Sequence, residues 1–362
     1  NLDDYIYGTF SEIGAGQEVV RYFFRSGGAS GTIAKAMSAY DMDVSDAIYG
    51  KEDSGRYVCE SRLQKMIHRE YLLLEERLDR KQHPKKCFFS FANTITTTQY
   101  NEDEKPGHGW MGVRFQLHPS ETPNDVILHI RLHENDARLQ QETVGVLGVN
   151  LMYASFYYHN SPEKFIQSLY DNLSRKQVEI DMVQMNGLKF DKVDNRLLSL
   201  LLVKNGMTEA VIFGPDGKNL QPSDVLYKKN ILTLRGSFRP VTKVNIDMIK
   251  NGLNKFVQEN KVEEEKLQVL FEITLNNLKA EGDINEKDFL DRVDVLCSIG
   301  QTVMISNYQR YYKLLDYFGR FTNERLGVIL GVPNLQEIFD AKFYRHLNGG
   351  ILEGIGKMFN RD

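Results

Sequence analysis

The sequence predicts an α/β protein: a mixed β-sheet with helical cover, an N-terminal helical region carrying a glycine-rich loop, and a helical insertion. Three observations lead there. Between Arg56 and Arg80, Val58, Leu63, Met66, Ile67, Leu72, Leu74 and Leu78 recur at mixed three and four spacing among charges, the pattern of an amphipathic helix, and Pro84 closes it. At Cys87 the period changes. Cys87–Thr98 is rich in aromatic and β-branched residues, and Trp110–Leu117 and Val126–Leu132 alternate, so these three segments read as antiparallel strands. Beyond Ser161-Pro162-Glu163, a helix start with proline at its first position, strand and helix alternate: Val178–Val183, Asn195–Lys204, Ala210–Phe213 and Ile231–Phe238.

The remaining elements follow from the same rules. Residues 1 to about 50 read as helical, broken by a glycine turn and closed by Asp41–Asp46. Leu139–Leu147 reads as a helix and Val149–Tyr158 as a buried strand. From Val244 to about Arg325 the chain reads as nearly all helix. Within it, Gly282–Asp288 is not a calcium loop, because Lys287 stands where an oxygen ligand belongs and the central glycine is missing; Asp283 or Asn285 is instead a helix cap. Leu326–Asn334 returns to strand and turn, Leu335–Phe339 to helix, and Ile351–Phe359 forms a final short helix. The expected domains are a helical region over 1–86, a mixed α/β domain over 87–244, a helical subdomain over 245–325 and a returning segment over 326–362.

Composition bounds the function. With 362 residues, 41% of them hydrophobic, the chain can bury a sizeable core. A net charge of -4, with basic runs no longer than Arg80-Lys81 and Lys85-Lys86, argues against a nucleic-acid partner. No apolar run approaches the roughly 18 residues of a membrane span, so no membrane partner is expected. Cys59, Cys87 and Cys297 are far apart and form neither a disulfide framework nor a zinc knuckle, which fits a reducing cytoplasm. The chain opens on Asn1 in place of Met and reads as a trimmed view of a longer polypeptide.

Two constellations carry candidate chemistry. In Ser26-Gly27-Gly28-Ala29-Ser30-Gly31-Thr32-Ile33-Ala34-Lys35, Gly28, Ser30, Gly31 and Thr32 lead into a segment of helical composition, with Lys35 within its first turn. Backbone N–H groups, two hydroxyls and an ammonium so arranged cradle a phosphate; the same residues also serve as a plain helix cap. The spacing matches neither a Walker loop nor a dinucleotide fingerprint. The second constellation joins Phe213–Gly217 to Arg235-Gly236-Ser237-Phe238-Arg239 and Asn245-Ile246-Asp247, where Arg235 and Arg239 would hold a phosphate or carboxylate and Asp216 and Asp247 would act as acid or base. The alternative is turn chemistry at Asp216-Gly217 and an ordinary ion pair for Arg235.

His108, in a glycine loop before Trp110, is the best histidine candidate for catalysis. His129 and His133 share a strand face but lie about 13 Å apart, too far for one metal ion, and no metal site is expected. No motif identifies a cofactor, and no nucleophile elbow is present. Tyr308, Tyr311 and Tyr312 share a helix face with Leu315, which reads as core or subunit interface. The leading reading is therefore a cytoplasmic enzyme or binding protein for a phosphate-bearing small molecule, a nucleotide by class. The alternative is a self-assembling, homo-oligomeric scaffold without catalytic activity.

Through Gly27-Gly28-Ala29-Ser30-Gly31-Thr32-Ile33-Ala34-Lys35, Arg235–Thr242 with Val244–Met248, and Gly349–Gly354, the chain resembles, over most of its length, a bacterial family labelled nicotinate-nucleotide adenylyltransferase, and sometimes TonB-dependent receptor. The first label implies a nucleotide-dependent transferase with an N-terminal Gly-Thr-Phe-x-Pro-x-His-x-Gly-His segment. Here Gly8-Thr9-Phe10-Ser11 opens in the same way and continues Glu12–Gln17 with neither histidine, so the family's catalytic histidines have no counterpart. The receptor label implies an outer-membrane barrel, which the helical content contradicts.

Overall fold

The computed structural model describes residues 1–98, 106–280 and 282–359, and the chain divides into two compact units, Asn1–Thr208 and Glu209–Asp362. Each contains a six-stranded mixed sheet with helices, so the expected α/β class holds, with two sheets where one was expected.

The first unit runs β1 (Ile6–Gly14), α1 (Glu18–Arg25), β2 (Ile33–Ser38), α2 (Met42–Tyr49), α3 (Glu60–Arg77), β3 (Cys87–Thr96), β4 (His108–Phe115), β5 (Asn124–Leu132), α4 (Ala137–Tyr157), α5 (Pro162–Ser168), β6 (Val178–Asn186) and α6 (Asn195–Lys204). The sheet order is β2-β1-β3-β4-β5-β6. β1 pairs in parallel with both β2 and β3; β3 to β5 form the expected antiparallel unit, and β6, reached through α4 and α5, extends it antiparallel to β5. Because the chain leaves β1 for one neighbour and later returns on its other side, the carboxyl end of β1 is a topological switch point. One sheet face carries Phe10, Phe89, Phe91, Val113 and Leu128 in the main core; the other packs Trp110 and Ile127 against Leu63, Met66 and Ile67 of α3.

Three expectations are corrected here. The region 1–50 is not mainly helical, and it shares a sheet with residues beyond 87. Ile6–Gly14 is buried at nearly every position, so a central strand covered on both faces shows no alternation to read. Thr32–Met37 is not a helix start: Ile33–Ser38 alternates half-buried and exposed as edge strand β2, its pairing overriding the helix preference of Ala, Lys and Met. Val149–Tyr158 is not a strand, since α4 runs unbroken through Ala137–Tyr157 from its Asp136 cap; a short apolar run does not distinguish a buried strand from a buried helix.

The second unit runs β7 (Ala210–Phe213), β8 (Asn219–Leu220), α7 (Pro222–Leu226), β9 (Asn230–Arg235), α8 (Lys243–Phe256), β10 (Leu267–Thr274), α9 (Leu275–Leu278), α10 (Glu286–Ser298), β11 (Thr302–Ser306), α11 (Tyr311–Phe318), β12 (Leu326–Ile329), α12 (Val332–Ile338) and α13 (Gly350–Phe359). The order is β12-β9-β10-β11-β7-β8, with the first four parallel. The 245–325 stretch is therefore not purely helical: β10 and β11 are the middle of this sheet, and their Val269–Ile273 and Val303–Ile305 runs are the continuous apolar signature of buried parallel strands. Asn285 caps α10, accepting from the Asp288 N–H at 3.0 Å. Tyr308, Tyr311 and Tyr312 are buried within this unit, Tyr308 packing on Tyr317 in its core, so the tyrosine face that motivated the scaffold reading is used internally.

Candidate functional site

The glycine segment is closed on itself. Gly27 and Gly28 take positive φ values of 76° and 71°, and the Gly31 and Thr32 amides donate to the Gly28 and Ala29 carbonyls at 3.1 and 3.0 Å. The Asn1 amide covers the turn, donating to Gly27 and Phe23 carbonyls. Ser30 is exposed and Thr32 is buried under the strand. Lys35 does not face the turn: its ammonium pairs with the fully buried Glu70, which also accepts from the Tyr49 hydroxyl at 2.9 Å. The expected cradle is a turn that locks β2 beside β1.

The second constellation comes together only in part. Arg235 grips Glu272 through two parallel bonds of 2.8 and 2.9 Å and stacks on Tyr311, while Ser306 donates to the same carboxylate at 2.6 Å. Arg239 pairs with Asp288 at 2.8 Å, and Arg292 holds the same loop through the Ser237 carbonyl at 3.0 Å. Both arginines thus sit where expected, at the carboxyl end of β9, and both face carboxylates. Asp216 lies in an exposed turn, where the Lys218 N–H and ammonium hold its carboxyl below the usual range. Asp247 lies apart on α8, beside Lys243 and Lys250 in an open groove.

His108 belongs to a denser array. It starts β4, its ring centroid 5.7 Å from that of His129, which is 4.8 Å from Trp110. His129 Nδ1 meets Asp181 Oδ1 at 2.5 Å, and Arg131 Nε donates to the other carboxylate oxygen at 2.9 Å. A bulge makes this possible: β5 pairs His129 with Met182 and Ile130 with Ile180, leaving Asp181 unopposed and turned toward the imidazole. Burial alone would raise the Asp181 carboxyl, but His129 and Arg131 overcome it and hold it low. Burial, with the His129 and Arg131 charges, pushes His108 down to about 4, so it is neutral at pH 7. Among the described residues no group of three or more His, Cys, Asp and Glu side chains is placed to hold a metal ion.

The arrangement that sequence reading missed lies at the switch point. In register across the carboxyl ends of β2, β1 and β3 stand Ser38, Glu12 and Asn93, neighbours spaced by one strand, about 5 Å. Glu12 is 2% exposed and Asn93 is fully buried; Glu12 Oε1 and Asn93 Oδ1 find no hydrogen-bond partner among the described residues. Ser38 approaches the other Glu12 oxygen at 3.4 Å. Burial first, then the Glu18 charge, raises the Glu12 carboxyl to about 7 against the Ser38 bond.

Above the row, β1 turns through Gly14, Ala15 and Gly16 into α1. Gly14 has φ 84°, and Gly16 lies so close to Asn93 that a Cβ there would fall 1.8 Å from its oxygen. The Gly16 and Gln17 amides, at the N-terminus of α1, donate to no protein acceptor among the described residues. The Gln17 side chain bridges the Gly14 carbonyl at 2.5 Å and the Ser38 hydroxyl at 3.2 Å, forming a clasp beside Glu12. The visible signal was the pair of glycines in Gly14-Ala15-Gly16 after a Glu; what concealed it was reading β1 as helix.

No protein-family model matches the chain, and no curated protein matches it. Among solved structures it is similar to CinA-superfamily proteins: one from Enterobacter cloacae (9% identity, 42% of this chain and 83% of that one, TM-score 0.29), one from Escherichia coli (14%, 40% and 76%, 0.25) and a competence damage-inducible protein A from Klebsiella pneumoniae (14%, 41% and 82%, 0.26). No helix among the described residues is long and apolar enough to cross a membrane. The structural neighbours are CinA-superfamily proteins, and a likeness of this strength assigns neither family nor activity.

Proposed function

We propose that the first unit is an enzyme for a phosphate-bearing small molecule, a nucleotide by class, bound over the carboxyl ends of β1 and β3. The observation that supports this reading is Glu12: a buried carboxyl titrating near neutrality, with one oxygen unpartnered, beneath free helix N-terminal amides at a switch point. The Gly16 and Gln17 N–H groups suit an anionic oxygen, and a group poised near 7 gives or takes a proton at either side of a reaction. The Gln17 clasp opens to admit the ligand. The glycine turn at 27–31 supports the neighbouring strand and leaves the ligand to the Gly14–Gln17 turn.

Because an ionised Glu12 repels a phosphate, binding is stronger at pH 6 than at pH 8. Thermal-shift and calorimetric titration with nucleoside mono- and triphosphates and NAD precursors at both pH values tests this. Stabilisation favoured at pH 6, with a pH dependence weakened by Glu12→Gln to that of the phosphate's own ionisation, is the expected result. The absence of stabilisation by any of these compounds, or an unchanged pH dependence in the variant, overturns the reading.

A further inference from the structure

We propose that the outer edge of β2 binds a second copy of this chain, joining two first-unit sheets antiparallel about a two-fold axis at Ala36. β2 ends its sheet, and from Lys35 to Ser38 it pairs regularly with β1 on its inner side. The Ala39 N–H donates to the Glu12 carbonyl at 2.9 Å, so the alternate residues Ala36 and Ser38 aim N–H and C=O outward, where no other strand of the described residues meets them. Such an edge is ordinarily guarded by a charge or a proline. β2 has no proline, and its one charged residue, Lys35, is turned to the α3 face by its pairing with the buried Glu70. What the edge shows to solvent is Ala34, Ala36 and Ser38, followed by the apolar side chains of Tyr40, Met42 and Val44, which are 78%, 61% and 50% exposed.

Self-complementarity selects a second copy as the occupant. A two-fold axis through Ala36, perpendicular to the sheet, sets Ala36 opposite its own equivalent and Lys35 opposite Met37 of the second copy, so small meets small and the lysine stem meets a thioether. The two ends of the strand agree in charge. Arg25 stands just before the Gly27–Gly31 turn that enters β2, and Asp43 stands in the first turn of α2, which follows it. Both are exposed, and neither meets an opposite charge among the described residues. An antiparallel two-fold brings the acidic end of each copy to the basic end of the other. The same operation lays Tyr40 and Met42 toward the glycine turn of the second copy, removing exposed apolar surface from water.

Sedimentation velocity of the whole chain over a concentration series tests the interface. A concentration-dependent particle of twice the chain's mass is expected. Ala36→Asp sets two like charges face to face and weakens the dimer at least about tenfold, while its melting curve shows the fold intact. Arg25→Asp and Asp43→Arg each weaken it about threefold, the scale of one exposed ion pair, and the two reversals together restore it. These exposed positions decide the matter alone if Ala36→Asp does not fold. A monomer at every concentration up to about 100 μM overturns the proposal, because a weaker pairing would have no claim to specificity. An undisturbed dimer in folded Ala36→Asp overturns it too, as does a double reversal that fails to restore what the single reversals lose.

Discussion

Two buried glutamates, one in each unit, occupy comparable positions and meet opposite fates. Glu12 and Glu272 both lie at or near the carboxyl end of a strand with parallel neighbours on both sides, and both are almost wholly removed from solvent. Glu272 receives two guanidinium bonds and a hydroxyl bond; Glu12 receives one long hydroxyl contact and keeps an oxygen unpartnered. The first is a tie across β9, β10 and β11. The second is a carboxyl whose charge nothing offsets, so burial moves its titration to about 7. Burial at a strand end does not mark a reactive group. The number of partners supplied by neighbouring strands does.

Substitutions sharpen this contrast. The largest effect is expected for Arg235→Ala, which leaves Glu272 buried with only the Ser306 hydroxyl; about 3–5 kcal/mol of unfolding free energy is lost, measurable by urea denaturation. A loss below about 1 kcal/mol would erase the distinction between the two glutamates.

Glu12→Gln is expected to act in the other direction and only with pH. Folded Glu12 titrates near 7 against an ordinary value of 4.5, so the folded state holds the extra proton between them, and wild-type stability falls as pH rises through this interval. Above it the ionised wild type carries a penalty of about 3 kcal/mol that glutamine lacks. Denaturation at pH 4.5 and pH 8 checks this: the variant gains relative to wild type at pH 8 and not at pH 4.5.

Lys35→Met extends the comparison to a third buried glutamate, Glu70, which would keep only the Tyr49 hydroxyl. A loss of about 2 kcal/mol is expected, less than for Arg235 because the Lys35 side chain is 40% exposed and solvent already screens the pair. Asp216→Asn, in an exposed turn, is expected to change neither melting temperature nor nucleotide binding. A clear effect on binding would restore Asp216 to the site.

Parts of this architecture were legible because local chemistry and tertiary pairing agree. Asn195–Lys204 and Ala210–Phe213 appear with the bounds expected from periodicity, and the meander of β3 to β5 follows from alternation. The sequence marks His108 but does not join it to His129 and Asp181, which give it a setting: those two are 52 residues apart, and a one-residue bulge aims the carboxylate. Glu12 is not legible in the sequence, because its strand is buried on both faces and carries Thr, Ser and Glu where a core pattern would show apolar residues.

The sequence by itself determined the α/β class, the antiparallel meander, most helix positions and the placement of Arg235 and Arg239 at a strand end, because these follow from periods, caps and turn residues within about ten positions. Only the tertiary structure decided that the chain makes two sheets, that Gly27–Gly31 is a closed turn, and that Ser38, Glu12 and Asn93 stand in one row. Strand pairing joins residues up to 96 positions apart, and whether a buried polar atom finds a partner depends on that pairing.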